Sequence, residues 1–405
     1  MAGDSISVYY GELLISPLPL EASFNWCSHN CHYCFANLNQ PDRRADIKAT
    51  MRLLSDYHNR QTLEAKLLQQ GYGVLISNRV DPFATSNFQQ SIPVMRTMTE
   101  LGIPIALQTK GGRGIEEALE FLPPSCWYVS IAMLDDDLRA RLEPGAPSIG
   151  DRLSLLETLT SRGHTVNVGL NPWTPEWLPL EQAPKLLKRL KDCGVHGVWT
   201  ETIHFNYKQL RNMPQRGREA IGESIIKRAQ KRNPDPDEFQ QWLELRQMVT
   251  DVGLEVFSAG QPNRSNYFEP YHQLYPKTFG VLQDFVNWCH DRQLQTTDLI
   301  SFNEFADFLC PKFPKGKLCI GHYVGATAHQ VCREAENWSN WMTYRDLLQM
   351  VWSDARIKAS PARAACFAYA AKRDSSGGWI QLVDDHNLPY LAFNPDGFSD
   401  YYAEV

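Results

Sequence analysis

No run of about 18 apolar residues, the length that crosses a bilayer as a helix, occurs in this chain of 405 residues, so no membrane span is expected. The first ten residues, MAGDSISVYY, have neither the charged nor the apolar region of a secretory signal, which predicts a cytoplasmic protein. Internal repeats and low-complexity tracts are missing. Positive charge is not in excess: a net charge of −6 argues against a surface coated with cations, although a local nucleic-acid groove is compatible with it. With 43% hydrophobic and 21% charged residues the composition excludes a disordered chain. This length accommodates one large domain, or a large one with a smaller companion.

Cysteine is what the chain does have, ten in all. In a reducing compartment such thiols serve metals rather than disulfides. Three form Cys27-Ser-His-Asn-Cys31-His-Tyr-Cys34, a CxxxCxxC spacing that follows the apolar run Leu13, Leu14, Ile15, read as a strand. Three thiolates on one tight loop suit three irons of a [4Fe–4S] cluster. The fourth iron is left without a protein ligand, and an open iron takes a small molecule. A zinc ion also uses closely spaced cysteines but normally wants four ligands, which His29 or His32 would have to complete; both histidines read better as loop residues.

Short apolar runs alternate with amphipathic helical stretches from residue 11 to about 258. Strands are expected at Leu13–Ser16, Val74–Ser77, Ile103–Thr109, Trp127–Ala132, Thr165–Leu170, Val195–Thr200 and Leu254–Phe257. Leu180, Ala183, Leu186, Leu187 and Leu190 have the spacing of one buried helix face. This alternation predicts an α/β fold, a partial (β/α)6 TIM-like barrel with its site at the carboxyl ends of the strands. The aromatic, proline-rich stretch from Gln261 reads as a connector. Domains are therefore expected at 1–260, the barrel, and 261–405, a smaller, mainly helical module with a terminal hairpin-like segment, GGWIQLVDDHNLPYLAF.

The cysteine spacing, with Tyr33 before and Phe35 after the third thiol, resembles the radical S-adenosylmethionine (SAM) superfamily. Four later segments, LISNRVDPF from Leu75, LQTKGG from Leu107, SIAMLDDDLRARLEPGAPSIGDRL from Ser130 and NVGLNPWTP from Asn167, resemble its spore photoproduct lyase-like branch, in the family's order over about residues 12–205. The resemblance implies that Cys27, Cys31 and Cys34 hold a [4Fe–4S] cluster whose open iron chelates SAM. It implies reductive cleavage to a 5′-deoxyadenosyl radical, which takes hydrogen from the substrate, and a protein reductant such as flavodoxin or ferredoxin. SAM needs partners for a carboxylate, an amine, a ribose and an adenine. Lys110 offers a cation for the carboxylate. Ser130 and Asn78 offer hydrogen bonds to the methionine or ribose, Asp81 an acceptor for the amine or a ribose hydroxyl, Arg152 a fork for a carboxylate, and Tyr33 its backbone for the adenine edge. The plainer alternatives are structural: Asp81 starts a turn before Pro82, and Arg152 pairs with Glu143.

In the photoproduct lyases proper, a cysteine after the serine of the second strand returns hydrogen to the product radical. Here the segment is Ser77-Asn78-Arg79-Val80-Asp81, without that thiol, which puts thymine-dimer repair by that route in doubt. Another donor would be required: Cys126, whose plainer role is a buried small residue, or 5′-deoxyadenosine itself, which would regenerate SAM and suit a rearrangement.

Cys310, Cys319 and Cys332 form a second, looser group, with His322, His329 and Cys366 nearby, in spacing that matches no compact zinc pattern. An auxiliary iron–sulfur cluster and ordinary thiols are both open readings. Cys193, Cys289 and Cys366 read as structural, each in a helical pattern. From Arg211 to Arg232 the chain carries seven Lys/Arg against two Glu, either a phosphate-contacting face or a solvated one. Trp173, Trp177, Tyr267, Phe268 and Tyr271 could stack a base or pack modules together. Three functions follow from these signals: a radical SAM isomerase or lyase acting on a nucleobase or base adduct in DNA; a radical SAM enzyme acting on a peptide or small metabolite; and a noncatalytic iron–sulfur or zinc protein that binds nucleic acid.

Overall fold

The computed structural model describes residues 3–4, 6–8, 16–24, 26–39, 45–77, 79–230, 235–312, 317–319, 341–355, 360–398 and 400–405. The chain divides into two compact units. The first comprises Met1–Ser7, Glu21–Arg60 and Gly73–Ser258, and the second Val8–Leu20, Gln61–Tyr72 and Ala259–Val405.

The main sheet follows the chain: β1 (Ile6–Val8), β2 (Leu20–Ala22), β3 (Val74–Ile76), β4 (Ile105–Thr109), β5 (Cys126–Ser130), β6 (Thr165–Trp173), β7 (Gly197–Thr202) and β8 (Glu255–Phe257) lie in that order. From β3 to β8 every neighbouring pair is parallel. Parallel strands require crossovers, and the sequence supplies them as helices. These include α1 (Phe35–Asn39), α2 (Phe88–Glu100), α3 (Asp136–Leu142), α4 (Ile149–Ser161), α5 (Ala183–Asp192), α6 (Tyr207–Asn212), α7 (Gln215–Ile221) and α8 (Pro236–Asp251). The result is the expected partial TIM-like barrel. Local chemistry starts the crossovers cleanly: Ser148 and Asp151 form a capping box at α4, and Asp135 caps α3.

The run Leu13–Ile15 lies outside the described residues, and the strand that leads into the cysteine loop is β2, Leu20–Ala22. Alternation along each strand separates two faces. Val166, Val168, Leu170 and Val198 are fully buried, as are Leu187 and Leu190 on α5. The opposite face is set by register, which aligns Tyr128 with Asn167, Ser130 with Gly169, and Gly169 with Trp199.

The second unit is built on aromatic packing. Phe285 on α9 (Leu282–Asp291) lies 5.0 Å from Phe305 on α10 (Phe302–Leu309), whose ring is 5.0 Å from Trp352 on α11 (Tyr344–Ser353). Alongside these helices runs a five-stranded sheet: β9 (Leu299–Ile300), β10 (Phe367–Arg373), β11 (Trp379–Gln381), β12 (Leu391–Phe393) and β13 (Tyr402–Glu404). β11 and β12 both pair antiparallel to β10, and the segment between them closes as a hairpin, Asp384 N–H donating to Leu388 O at 2.9 Å and Tyr390 N–H to Leu382 O at 3.0 Å. Cys289 and Cys366 are buried, and burial pushes both thiols up. Cys289 lies in α9, but Cys366 immediately precedes β10 rather than sitting in a helix, because the apolar run after it is read by the sheet.

Candidate active site

The cysteine loop is shaped by its own turns and fastened by two others. Asn30 takes a positive φ of 52°, Asn30 N–H donates to Cys27 O at 3.3 Å, and Cys34 N–H donates to Cys31 O at 3.2 Å. The loop after β3 grips it through Ser86: Ser28 N–H donates to Ser86 Oγ at 3.1 Å, and Ser86 N–H to Ser28 Oγ at 3.2 Å. The segment after α3 grips it again. Gly145 N–H donates to His29 O at 2.9 Å, His29 Nδ1 donates to Gly145 O at 3.0 Å, and His32 N–H donates to Leu142 O at 2.9 Å. A Cβ at Gly145 would collide with the Ser28 carbonyl oxygen, so this close approach requires glycine.

Cys27 and Cys31 are buried and Cys34 is partly exposed; none is in a disulfide. Burial and then the Asp81 carboxylate push the Cys27 thiol up to about 12. Burial drives Cys31 well above its ordinary range, and raises Cys34. Thiols so placed stay protonated unless a strong cation neutralises them, which is what thiolate-bound iron does. The donor set fits a cluster in kind, three thiols on one loop being the usual ligands of iron–sulfur iron. Among the described residues no three His, Cys, Asp or Glu side chains converge as ligands of a single ion; in a cluster the thiolates meet separate irons.

Glu143, fully buried, organises the neighbouring charges. It accepts from Lys110 Nζ at 2.9 Å, from the guanidinium of Arg152 and from the hydroxyl of Tyr33. Burial alone would raise its carboxyl, but Lys110, Arg152 and the Tyr33 bond outweigh that and leave it at about 2. Lys110 Nζ also donates to Ser130 Oγ at 2.7 Å and to the Tyr33 oxygen at 3.1 Å. Lys110, Ser130 and Tyr33 are thus joined beside the cysteine loop.

Asp81 builds a second group. Its carboxylate accepts from Lys110 N–H at 2.6 Å, Thr109 Oγ1 at 2.9 Å and Phe83 N–H at 2.9 Å, and lies 3.1 Å from His29 Nε2. Burial works against both charges, yet each holds the other ionised: Asp81 is lowered and His29 raised.

Farther along the face that carries Ser130, the sheet is polar where most sheet positions are apolar. Tyr128, Asn167, Asn171, Trp199 and Glu201 occupy it, as register and alternation require. Gly169 lacks a side chain where the Tyr128 hydroxyl crosses, and a Cβ there would strike that oxygen. Burial pushes the Tyr128 phenol up, against a hydrogen bond with Asn171. Asn167 is completely buried, and neither atom of its amide has a hydrogen-bond partner among the described residues. Unsatisfied buried amides are costly, so a water or a ligand atom is expected to meet this one.

Of the residues expected from the sequence, Cys27, Cys31, Cys34, Tyr33, Asp81, Lys110 and Ser130 gather in one region. Arg152 is also there, but as the structural partner of Glu143, with further bonds to the Ser130 and Pro147 carbonyls, so it presents no open fork. Asp81 likewise spends its carboxylate on neighbouring groups. Asn78 lies outside the described residues, as does Cys332. Cys319 lies in the strand Lys317–Cys319, and Cys310 is half-buried after α10, its thiol pushed up by burial. Sequence reasoning left Glu143 as an alternative partner and read His29 as loop; its one usable signal for Glu143 was a carboxylate nine residues before Arg152.

No family model matches the chain. Uncharacterized proteins of Mycobacterium bovis and Mycobacterium tuberculosis are 24% identical over 195 residues, 45% of this chain and 57% of each relative. A protein of Acidianus two-tailed virus is 25% identical over 142 residues, 33% of this chain and 47% of its own. The chain thus spans about half the length of the curated relatives it matches. Among solved structures, a mutant spore photoproduct lyase with dinucleoside spore photoproduct gives a TM-score of 0.44 at 13% identity, over 60% of this chain and 76% of that one. SuiB of Streptococcus suis bound to S-adenosylmethionine gives 0.40 at 17%, over 62% and 51%. The radical S-adenosylmethionine methyltransferase TsrM of Kitasatospora setae gives 0.33 at 13%, over 46% and 36%.

Proposed function

We propose that this chain is a radical SAM enzyme that abstracts hydrogen from a nucleobase or base adduct in DNA, for rearrangement or bond cleavage. The observation that carries the reading is the placement of three thiols on one loop, two of them buried, docked beside the Lys110–Ser130–Tyr33–Glu143 group at the carboxyl ends of the strands. When bound, the cluster and SAM together supply reductive cleavage to a carbon radical, and the protein supplies orientation.

In this reading Cys27, Cys31 and Cys34 hold the cluster. Lys110 meets the SAM carboxylate, and Ser130 hydrogen-bonds the methionine or ribose portion. Glu143 fixes the ammonium of Lys110, and Arg152 anchors Glu143. Asp81 holds the turn at Thr109–Lys110 and, through His29, the cysteine loop. The polar face of Tyr128, Asn171 and Glu201 favours a substrate with hydrogen-bonding edges, and Trp199 adds a ring on which a base can stack. Such groups suit a nucleobase, a peptide or a polar metabolite alike, and the branch resemblance is what favours the nucleobase.

The test is anaerobic turnover of the reduced protein with SAM and an oligonucleotide in which all four nucleosides are fully deuterated. Heavy 5′-deoxyadenosine, formed only with the labelled strand, supports the proposal. Formation of 5′-deoxyadenosine with no isotope uptake from any nucleotide would overturn the base assignment while leaving the SAM chemistry in place.

A further inference from the structure

Register carries one face of the sheet from strand to strand, and every second residue of a strand shares it. Gln108 aligns with Tyr128, Tyr128 with Asn167, Asn167 with Gly197, and Gly197 with Glu255. These residues form one layer inside the barrel. They stand two places before Lys110, Ser130, Gly169, Trp199 and Phe257, so their layer is about 7 Å deeper than the one that carries Lys110 and Ser130. Branched apolar side chains ordinarily fill a layer of this kind. Here Gln108, Tyr128, Asn167 and Glu255 are polar, and Gly197 has no side chain.

Asn167 is the anomaly of the layer. It is completely buried, and both atoms of its amide lack a hydrogen-bond partner among the described residues. Gly197 brings no side chain to one flank. On the other flank Tyr128 starts level with Asn167, and its hydroxyl crosses Gly169 one layer up, where it meets Asn171. A primary amide sets a donor and an acceptor side by side. Its complement is an edge with an acceptor and a donor side by side, the O=C–N–H of a lactam or imide held cis in a ring. An open peptide unit is trans and turns its N–H and C=O to opposite sides, so it does not match.

We propose that Asn167 determines specificity by taking the lactam or imide edge of a ring substrate through two hydrogen bonds, with Tyr128 covering it until the ligand enters. The inference rests on the radical SAM reading and deepens it by naming the edge that is read. Held at this depth by one edge, a ring directs the rest of the ligand up toward Lys110 and Ser130, where SAM is placed in that reading. Asn167 exposes no surface, so entry requires a neighbour to turn, and the half-buried ring that crosses Gly169 is the one in the way. A structural water is the competing occupant, since it too satisfies buried polar atoms. It differs in consequence: a water makes Asn167 serve stability, whereas a ligand edge makes it serve recognition.

The experiment titrates the reconstituted full chain by calorimetry, with SAM present and no reductant, so that binding is read without turnover. The probes are a short single-stranded thymidine oligonucleotide, the same strand carrying N3-methylthymidine, whose imide N–H is blocked, and free δ-valerolactam. Wild type is expected to bind the thymidine strand at least about tenfold more tightly than the methylated one, because a buried amide left unpaired is what rejects the blocked edge. Asn167→Leu is expected to bind both strands alike and weakly, with iron content kept and a denaturant midpoint equal to wild type or higher, since an unpartnered buried amide has been removed. Wild type that binds both strands equally would overturn the proposal without any variant. An Asn167→Leu protein that keeps the preference would overturn it too, and a lowered midpoint with the preference kept would assign the amide to a structural water. Binding of δ-valerolactam but of neither strand, abolished in Asn167→Leu, would retain the subsite and reject the DNA base. Failure of all three probes would overturn the subsite, while 5′-deoxyadenosine formed on reduction would still uphold the SAM chemistry.

Discussion

Lys110 Nζ lies 2.9 Å from a fully buried oxygen of Glu143, and the other oxygen of that carboxylate holds Arg152. Two cations on one buried carboxylate leave one positive charge over, and Lys110, the more exposed of the two, carries it toward the ligand side. In the proposed function the SAM carboxylate completes the balance. Replacing Lys110 with Ala is expected to weaken SAM binding by about tenfold or more, the worth of a charge-assisted hydrogen bond. The cluster spectrum should stay unchanged. Equal SAM affinity by titration in the variant and wild type would remove Lys110 from that role.

Arg152 serves the same carboxylate from the protein side. Arg152→Met leaves Glu143 buried with one partner fewer, and is expected to cost about 3–5 kcal/mol of stability in denaturant unfolding. Glu143→Gln added to Arg152→Met should return part of that loss, since a neutral amide tolerates burial better. A double variant less stable than the sum of the two single changes would contradict the pairing.

The same carboxylate sets a pH dependence. Its ordinary value of 4.5 is lowered to about 2 in the fold. A group depressed on folding contributes stability that is complete above its unfolded value and is lost as pH falls through the folded one. The stability advantage of wild type over Glu143→Gln should therefore be constant above about pH 5 and shrink on acidification toward pH 2. Denaturant midpoints measured at a series of pH values check it; an advantage unchanged down to pH 3 would contradict the depressed value.

Gly145→Ala separates loop docking from folding. The added methyl meets the Ser28 carbonyl oxygen and lies 3.0 Å from His29 Cα, so the segment after α3 must release the cysteine loop. Iron uptake on reconstitution is expected to fall several-fold with the circular dichroism kept. Gly150→Ala, whose new Cβ meets only the Ser148 hydroxyl at 3.7 Å, is the control and should take up iron normally.

The barrel was legible because its signals are local. Short apolar runs such as Val74–Ile76 and the capping box at Ser148 follow from neighbours in sequence, and the cysteine triplet lies within eight residues. The site's wiring was not, because it joins residues far apart in the chain. Lys110 and Tyr33 are brought to Glu143 only by the sheet order, and His29 meets Asp81 only after the loop has docked on Gly145. Arg152 shows the difference most clearly: sequence offers an open guanidinium, whereas folding commits it to Glu143 and two carbonyls. The polar face of Tyr128 and Asn167 stayed hidden for a related reason, since facing is decided by strand register across β5 and β6.

Whether the three thiols carry a cluster that cleaves SAM is decided by anaerobic reconstitution with iron and sulfide, in wild type and in a Cys27→Ala/Cys31→Ala/Cys34→Ala variant, followed by an assay of 5′-deoxyadenosine from SAM under reduction. Wild type is expected to hold about four more irons per chain than the triple variant, the stoichiometry of a [4Fe–4S] cluster, and to be alone in forming 5′-deoxyadenosine. Wild-type protein that binds iron but leaves SAM intact, or a triple variant that still cleaves it, would contradict the radical SAM assignment.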